Sequence, residues 1–146
     1  MQTFVIDSDP VKTARILDRQ RLGKQRVEAI QIARNLLGLT EKRGWSRHPA
    51  VRMWNGYEPY LIRGYLRAML DEWARRGYDN TKSEEHYQQL CNHPVVFTQS
   101  DDVPPLWLAD ERTIRSHRSN LVRKKPEHYR QFFPVVPENL EYFWPV

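Results

Sequence analysis

Apolar positions recur along much of the chain at the three- and four-residue steps of amphipathic helices. Val11, Ala14 and Leu17, then Leu22, Val27, Ile30, Ala33 and Leu37, trace one such stretch. Ser8 or Asp9 can cap its start, Pro10 suits its first turn, and Gly38 supplies a left-handed stop. Gly23 costs about 1 kcal/mol relative to alanine inside a helix, so the pattern admits a break at 18–23. Ahead of this stretch QTFVID, residues 2–7, reads as an extended arm. A polar loop at 39–48 leads to a short helix at 50–55 and a longer one at 59–76, because Pro59 starts a helix more cheaply than it interrupts one. Arg75, Arg76 and Gly77 mark its end. Thr81 and Glu84 have capping-box spacing for a helix running to about Cys91. Residues 92–106 form a Pro-containing connection with at most a short strand at 95–98. Asp110 caps a helix at 111–124, Pro126 opens another to Phe133, and the aromatic tail PVVPENLEYFWPV is extended and packed. No repeat or sustained strand alternation competes. The expected fold is therefore all-α: a single compact helical domain over 1–146, with an extended N-terminal arm and an aromatic C-terminal tail.

Length and composition narrow the class. A chain of 146 residues can bury a real core as one domain. No apolar run approaches the roughly 18–20 residues of a membrane span, and MQTFVIDSDP lacks the basic start and apolar block of a signal peptide. Cys91 is the only cysteine, which excludes an intramolecular disulfide and a Cys-based zinc module. A soluble cytoplasmic protein with no membrane partner is expected.

The charge is more informative once mapped. The formal net charge is +5, yet residues 11–34 and residues 111–130 each hold seven Lys/Arg against two Asp/Glu. Two basic segments on an otherwise acidic body fit a polyanion footprint. The bland alternative is a pair of well-solvated helix faces.

On a helix, Arg21, Lys24, Gln25, Glu28 and Gln31 share one side, with Leu22, Val27, Ile30 and Ala33 opposite. Two cations and two amides thus surround a single carboxylate. The second basic segment is thinly apolar, and its Arg115, Ser116, His117, Arg118, Ser119, Asn120, Arg123 and Lys124 are of types that bond phosphates. Among them His117, Asn120 and Lys124 share a face. His86, Cys91 and His93 fit no standard zinc spacing. The six glycines are scattered and form no phosphate-cradling loop, and no nucleophilic serine motif is present. Neither a metal nor a cofactor is expected. Trp45, Trp54, Trp107, Tyr57 and Tyr60 are candidates for stacking on a planar ligand such as a base.

RLGKQRVEA (21–29), HPAVRMW (48–54) and SHRSNLVRK (116–124), with WARRGYDN (73–80) and PEHYRQFFP (126–134), occur in this order. In these motifs the chain resembles the pyrimidine dimer DNA glycosylase/endonuclease V family, and more closely a bacterial and viral branch of it. The resemblance implies a helical domain whose N-terminal arm threads between two helices and brings the chain terminus beside a glutamate. It implies that a terminal α-amine attacks C1′ of the damaged nucleotide, that the glutamate assists, and that a Schiff base then breaks the strand by β-elimination. The matching glutamate is Glu28. The matching DNA-contacting positions are Asn120 and Lys124, flanked by Arg118 and Arg123, with Arg21, Lys24 and Arg26 holding phosphates. Gln25, Arg115 and His117, and His48 and Arg52 of the second motif, complete the expected DNA-binding set.

One departure bears on the nucleophile. The phage-type enzyme uses a residue-2 amine exposed by Met removal, whereas the bulk of Gln2 should retain Met1. The options are the Met1 amine, Lys24, or a water in a glycosylase without lyase activity. An α-amine titrates at about 7.7–8.0 and a lysine at about 10.4, so lysine starts about 3.5 kcal/mol behind at neutral pH. The expected function is excision of damaged or modified pyrimidines from double-stranded DNA by a monomeric glycosylase with accompanying AP lyase activity. The alternatives are a non-catalytic DNA-binding protein of the same shape and a protein-interaction domain with idle basic helices.

Overall fold

The computed structural model describes residues 1–41, 44–99 and 102–146. Lys42 and Arg43 of the expected polar loop, and Ser100 and Asp101 of the expected connection, lie outside the described residues. Regular structure among the described residues is helical throughout, with no strand. Asp9 accepts a hydrogen bond from the Val11 N–H at 2.9 Å and starts α1 (Pro10–Ile16). The chain breaks at Leu17–Asp18 and restarts as α2 (Arg19–Leu36), which Gly38 ends at φ +72°. Gly23 lies within α2 and is not the break. A Cβ there would stand 3.2 Å from the Trp73 ring, so the missing side chain admits an indole.

A 3₁₀ turn (Gly44–Arg47) precedes α3 (Pro49–Arg52). The long helix expected at 59–76 is a π-helical segment (Tyr60–Leu66) running into α4 (Arg67–Arg75). Then follow α5 (Thr81–Cys91) and α6 (Pro94–Phe97). After a 3₁₀ turn (Leu106–Ala109) come α7 (Glu111–Lys124), capped by Asp110, and α8 (Pro126–Tyr129). Two expectations are corrected. Residues 95–98 belong to a helical turn, because His93 caps it through Nδ1 and Pro94 fills its first position. Thr81 is inside α5 rather than its cap: Asp79 accepts from the Thr81 N–H at 3.1 Å, and Glu84 turns to Arg67 at 2.9 Å.

Helix α2 packs on the π-helical segment, α4 and α5, and one core cluster runs from Phe4 to Phe133. The N-terminal arm passes through it, with Thr3, Phe4, Val5 and Ile6 all buried. An extended segment without a sheet must find side-chain partners for its backbone. Gln25 of α2 accepts from the Phe4 N–H at 2.9 Å, and His117 Nδ1 of α7 accepts from the Val5 N–H at 2.9 Å. Arg118 donates to the Ile6 carbonyl at 2.9 Å, and the Trp54 indole donates to Thr3 Oγ1 at 2.9 Å. The Tyr65 hydroxyl lies 2.7 Å from both the Phe4 carbonyl and Gln25 Oε1.

The C-terminal tail is tied to α7 in the same manner. Ser119 Oγ accepts from the Leu140 N–H at 3.0 Å and Ser116 Oγ from the Phe143 N–H at 3.1 Å. The small polar residues of α7 therefore point inward. Among the described residues no helix is long and apolar enough to cross a membrane.

Candidate active site

The threaded arm delivers the start of the chain to α2. The Gln2 N–H donates to Glu28 Oε2 at 3.3 Å, and the Gln25 amide donates to the same oxygen at 3.2 Å and to the Gln2 carbonyl at 3.1 Å. Glu28 is thereby fixed by two N–H donors, and its half-buried side chain opens on two clefts. One, of about 370 Å³, is lined by Met1, Gln2, Phe4, Arg21, Lys24 and Lys124 besides Glu28. The other, of about 710 Å³, runs along the outer side of α2 past Arg19, Lys24, Val27, Gln31 and Trp73. A third cavity of about 200 Å³ lies on the far side of Met1, between Arg34, Asn35 and the half-exposed Trp45.

Charge in the first cleft is one-sided. Arg21, Lys24 and Lys124 surround the lone Glu28 carboxylate, and Arg21 is partly engaged with Asp18 at 3.3 Å. Lys124 Nζ stands 5.2 Å from the centre of the Phe4 ring. Burial, then the like charges of Arg21, Lys24 and Arg123, hold the Lys124 ammonium below the ordinary lysine range, with Glu28 opposing. The Met1 ammonium acts on His48, whose pKa falls through burial first and that charge second. His48 Nδ1 accepts from the Ala50 N–H at 3.0 Å as the cap of α3, so the imidazole is held neutral as a structural group. Its ring meets Trp45 and Trp144 edge-on.

Several residues expected at the DNA surface are elsewhere, and the reason is the arm and the tail. Gln25 is 1% exposed, with its amide spent on Phe4, Gln2 and Glu28. His117 is fully buried, and burial pushes its pKa down to about 3, so it carries no charge for a phosphate. Asn120 is 1% exposed and bonds the Ser116 carbonyl at 2.8 Å and the Leu140 carbonyl at 3.3 Å. Arg118 holds the arm and stacks on Phe133, and Arg123 reaches the tail carbonyl of Glu138 at 3.0 Å.

Arg26 turns to α5, bonding Asn80 at 2.9 Å and lying 4.0 Å from the centre of the Trp73 ring. Arg115 and Arg52 are exposed, Arg115 beside a separate cavity with Arg112 and Phe143. Val27, assigned to the apolar side, is 49% exposed. Trp54 and Trp107 are core residues and offer no stacking surface, while Trp45 is half exposed. The sequence reading missed Gln2, Phe4 and Tyr65. Only the arm's position makes them part of the site, and no spacing signal marks it. The Gln2 side-chain amide is buried beside the Tyr142 phenol, which burial raises above the ordinary tyrosine range against an opposing interaction with Gln2.

The helical scaffold thus fixes one carboxylate in a cleft lined by cations. Residues 1–86, more than half the chain, match the sequence model of the pyrimidine dimer DNA glycosylase family, and the chain belongs to that family. No curated protein and no solved structure matches it. The matched region contains the arm, Glu28, Arg21 and Lys24. Lys124, His117 and Arg118 lie beyond it and meet it at the arm, at Phe4, Val5 and Ile6 respectively.

Proposed function

We propose that the protein is a DNA N-glycosylase with AP lyase activity that removes damaged or modified pyrimidines from double-stranded DNA, and that residues 1–146 act as one domain. The observation that carries this reading is Glu28, a carboxylate pinned by the Gln2 N–H and the Gln25 amide among Arg21, Lys24 and Lys124. A surface built only to bind phosphate gains nothing from a fixed negative charge at its centre, since that charge repels the backbone. A proton acceptor beside amines has a chemical use. An amine adds to C1′ as the base departs, the sugar opens to an imine, and Glu28 removes a C2′ proton so that the 3′ phosphate ester leaves. Arg21 and Lys24 hold phosphates on either side of the extruded nucleotide. Trp45, half exposed beyond Met1, offers a face on which a base can stack.

The test is base release from a panel of duplexes carrying a cyclobutane dimer, an oxidised pyrimidine or a modified pyrimidine, with strand cleavage followed in parallel. Release from at least one duplex, abolished in Glu28→Gln, is expected. Salt-dependent binding with no release from any duplex would leave a DNA-binding protein in place of the enzyme.

A further inference from the structure

We propose that the cavity of about 200 Å³ between Met1, Gln31, Arg34, Asn35 and Trp45 receives the extruded base, and that it takes a single pyrimidine ring. This rests on the glycosylase reading and names the substrate class of that site: one modified or damaged pyrimidine, and not a cyclobutane pair.

Met1 lines both this cavity and the cleft that holds Glu28, so the two spaces meet at the start of the chain. On α2, Lys24, Glu28, Gln31 and Asn35 follow one another at steps of three and four residues, along one face. Gln31 stands about 5 Å and Asn35 about 10 Å beyond Glu28 along the helix axis. A sugar at Glu28, with its phosphates at Arg21 and Lys24, thus has the cavity within one nucleoside's reach.

The aromatic rings lining the two clefts are already engaged. Trp73 carries Arg26 at 4.0 Å and Tyr78 at 4.4 Å from its ring centre, and Phe4 is 4% exposed beneath Lys124. Tyr57 and Tyr60 line a separate cavity with Gln99 and Val103. Trp45 is half exposed, and the His48 ring meets it at 5.6 Å and 61°. His48 is fixed in turn as the cap of α3 and by Trp144 at 5.8 Å. The indole is therefore braced by a fixed ring while it lines the cavity, which is what a base needs to stack on.

Size sets the class. An apolar cavity of about 150 Å³ admits a benzene molecule, so this one has room for a substituted six-membered ring. Sites for larger organic ligands start at about 300 Å³, and two covalently joined pyrimidines belong with those. The lining suits the polar edge of one ring. The Gln31 and Asn35 amides both donate and accept, and the Arg34 guanidinium, with one N–H on the Leu39 carbonyl at 3.0 Å, has further donors. As the amine bonds C1′ and the C1′–N bond to the base breaks, the electron pair leaves with the base. Its charge spreads over the ring's carbonyl oxygens until water protonates it, and Arg34 is the cation in the cavity that meets that charge.

The experiment follows base release by the full chain from duplexes carrying thymine glycol, dihydrothymine or hydroxymethyluracil, and from one carrying a cyclobutane thymine dimer. Release from at least one single-base lesion is expected, at least about 10-fold faster than from the dimer, the lower end of what a fitted pocket discriminates. Trp45→Ala should lower that release about 10–100-fold, the range for losing an aromatic–base stack. It should lower far less the affinity for a duplex with a tetrahydrofuran abasic analogue, which has no base to place. Trp45→Phe, which keeps an aromatic face, should recover most of the rate. Three results overturn the pocket and leave a glycosylase that places its base elsewhere: release from the dimer as fast as from every single lesion, undiminished release in Trp45→Ala, or equal losses of release and of abasic-analogue affinity in that variant. No release from any of these duplexes overturns the glycosylase reading and the pocket together.

Discussion

Lys24 and Gln25 are consecutive on α2 and serve different regions of the molecule. Gln25 faces the threaded arm, 1% exposed and bonded on both sides of its amide, whereas Lys24 is exposed and opens on the cleft. Helix α7 divides in the same way, with His117 and Arg118 holding arm backbone and Lys124 emerging toward Glu28 about two turns further on. An extended segment inside a helical core brings N–H and C=O groups that no helix can satisfy, so polar side chains are drawn inward to meet them. Residues that read as a phosphate-binding surface are then partly structural. What reaches the Glu28 cleft is the smaller set left over: Arg21, Lys24 and Lys124.

The two regions should fail differently, and the largest expected difference is at Glu28, where they meet. Glu28→Gln retains an oxygen for the Gln2 N–H and loses the charge and the proton acceptor. Affinity for lesion duplex should hold or rise, melting temperature should stay close to that of the parent, and single-turnover rate should fall about 10²–10⁴-fold. A rate near that of the parent would move Glu28 into the structural region with Gln25.

On the arm side the expected loss is stability. Gln25→Leu fills similar volume but strips the Phe4 N–H and the Gln2 carbonyl of their partners. Each buried group so orphaned costs about 1–3 kcal/mol, which urea unfolding would register with no change in its slope. Unchanged stability would mean that the arm is held without this amide.

These contrasts mark how far the sequence could be read. The 3.6-residue period gave the helices, and Asp9, Asp110, Gly38 and Gly77 gave their ends, because those signals act within a few residues. Face assignment went less well. Val27 and Gln25 lie almost opposite one another on α2, and the arm reversed the expected inside and outside for both. The same holds on α7, where Ser116, His117, Ser119 and Asn120 are buried because two extended segments dock on it. Periodicity orders residues around a helix axis and carries no information about a partner more than a hundred residues away. Glu28, Arg21 and Lys24 were legible because a lone carboxylate between cations is a local pattern. Phe4 beneath Lys124 was not.

Acid stability offers a smaller measure of the arm region. Burial holds the His117 pKa at about 3 against an ordinary 6.5, so the unfolded chain binds a proton in that interval that the folded protein refuses. The stability this contributes is fully present above about pH 6.5 and is lost as pH falls toward 3, at up to about 1.4 kcal/mol per pH unit. His117→Gln should flatten the acid limb of a stability–pH curve by close to one proton, whatever its cost at neutral pH. An unchanged limb would show that His117 is protonated readily and is not sealed beneath the arm.

The smallest effect separates the regions by salt. A cation that neutralises a phosphate releases counterions, so its removal lowers the slope of log affinity against log salt by about one unit, whereas removing a cation that faces protein leaves the slope alone. Lys24 opens on both clefts, while Arg26 is bonded to Asn80 and stacked on Trp73, and Arg118 is bonded to the Ile6 carbonyl. Lys24→Ala should therefore flatten the salt dependence of duplex binding by about one unit with little change in melting temperature. Arg26→Ala and Arg118→Ala should keep the parent slope and lower the melting temperature instead. All three variants remove one positive charge, so net charge cannot produce the difference. Equal slopes in all three would mean that binding responds to overall charge, and the division between an arm-holding interior and a DNA-facing rim would not survive it.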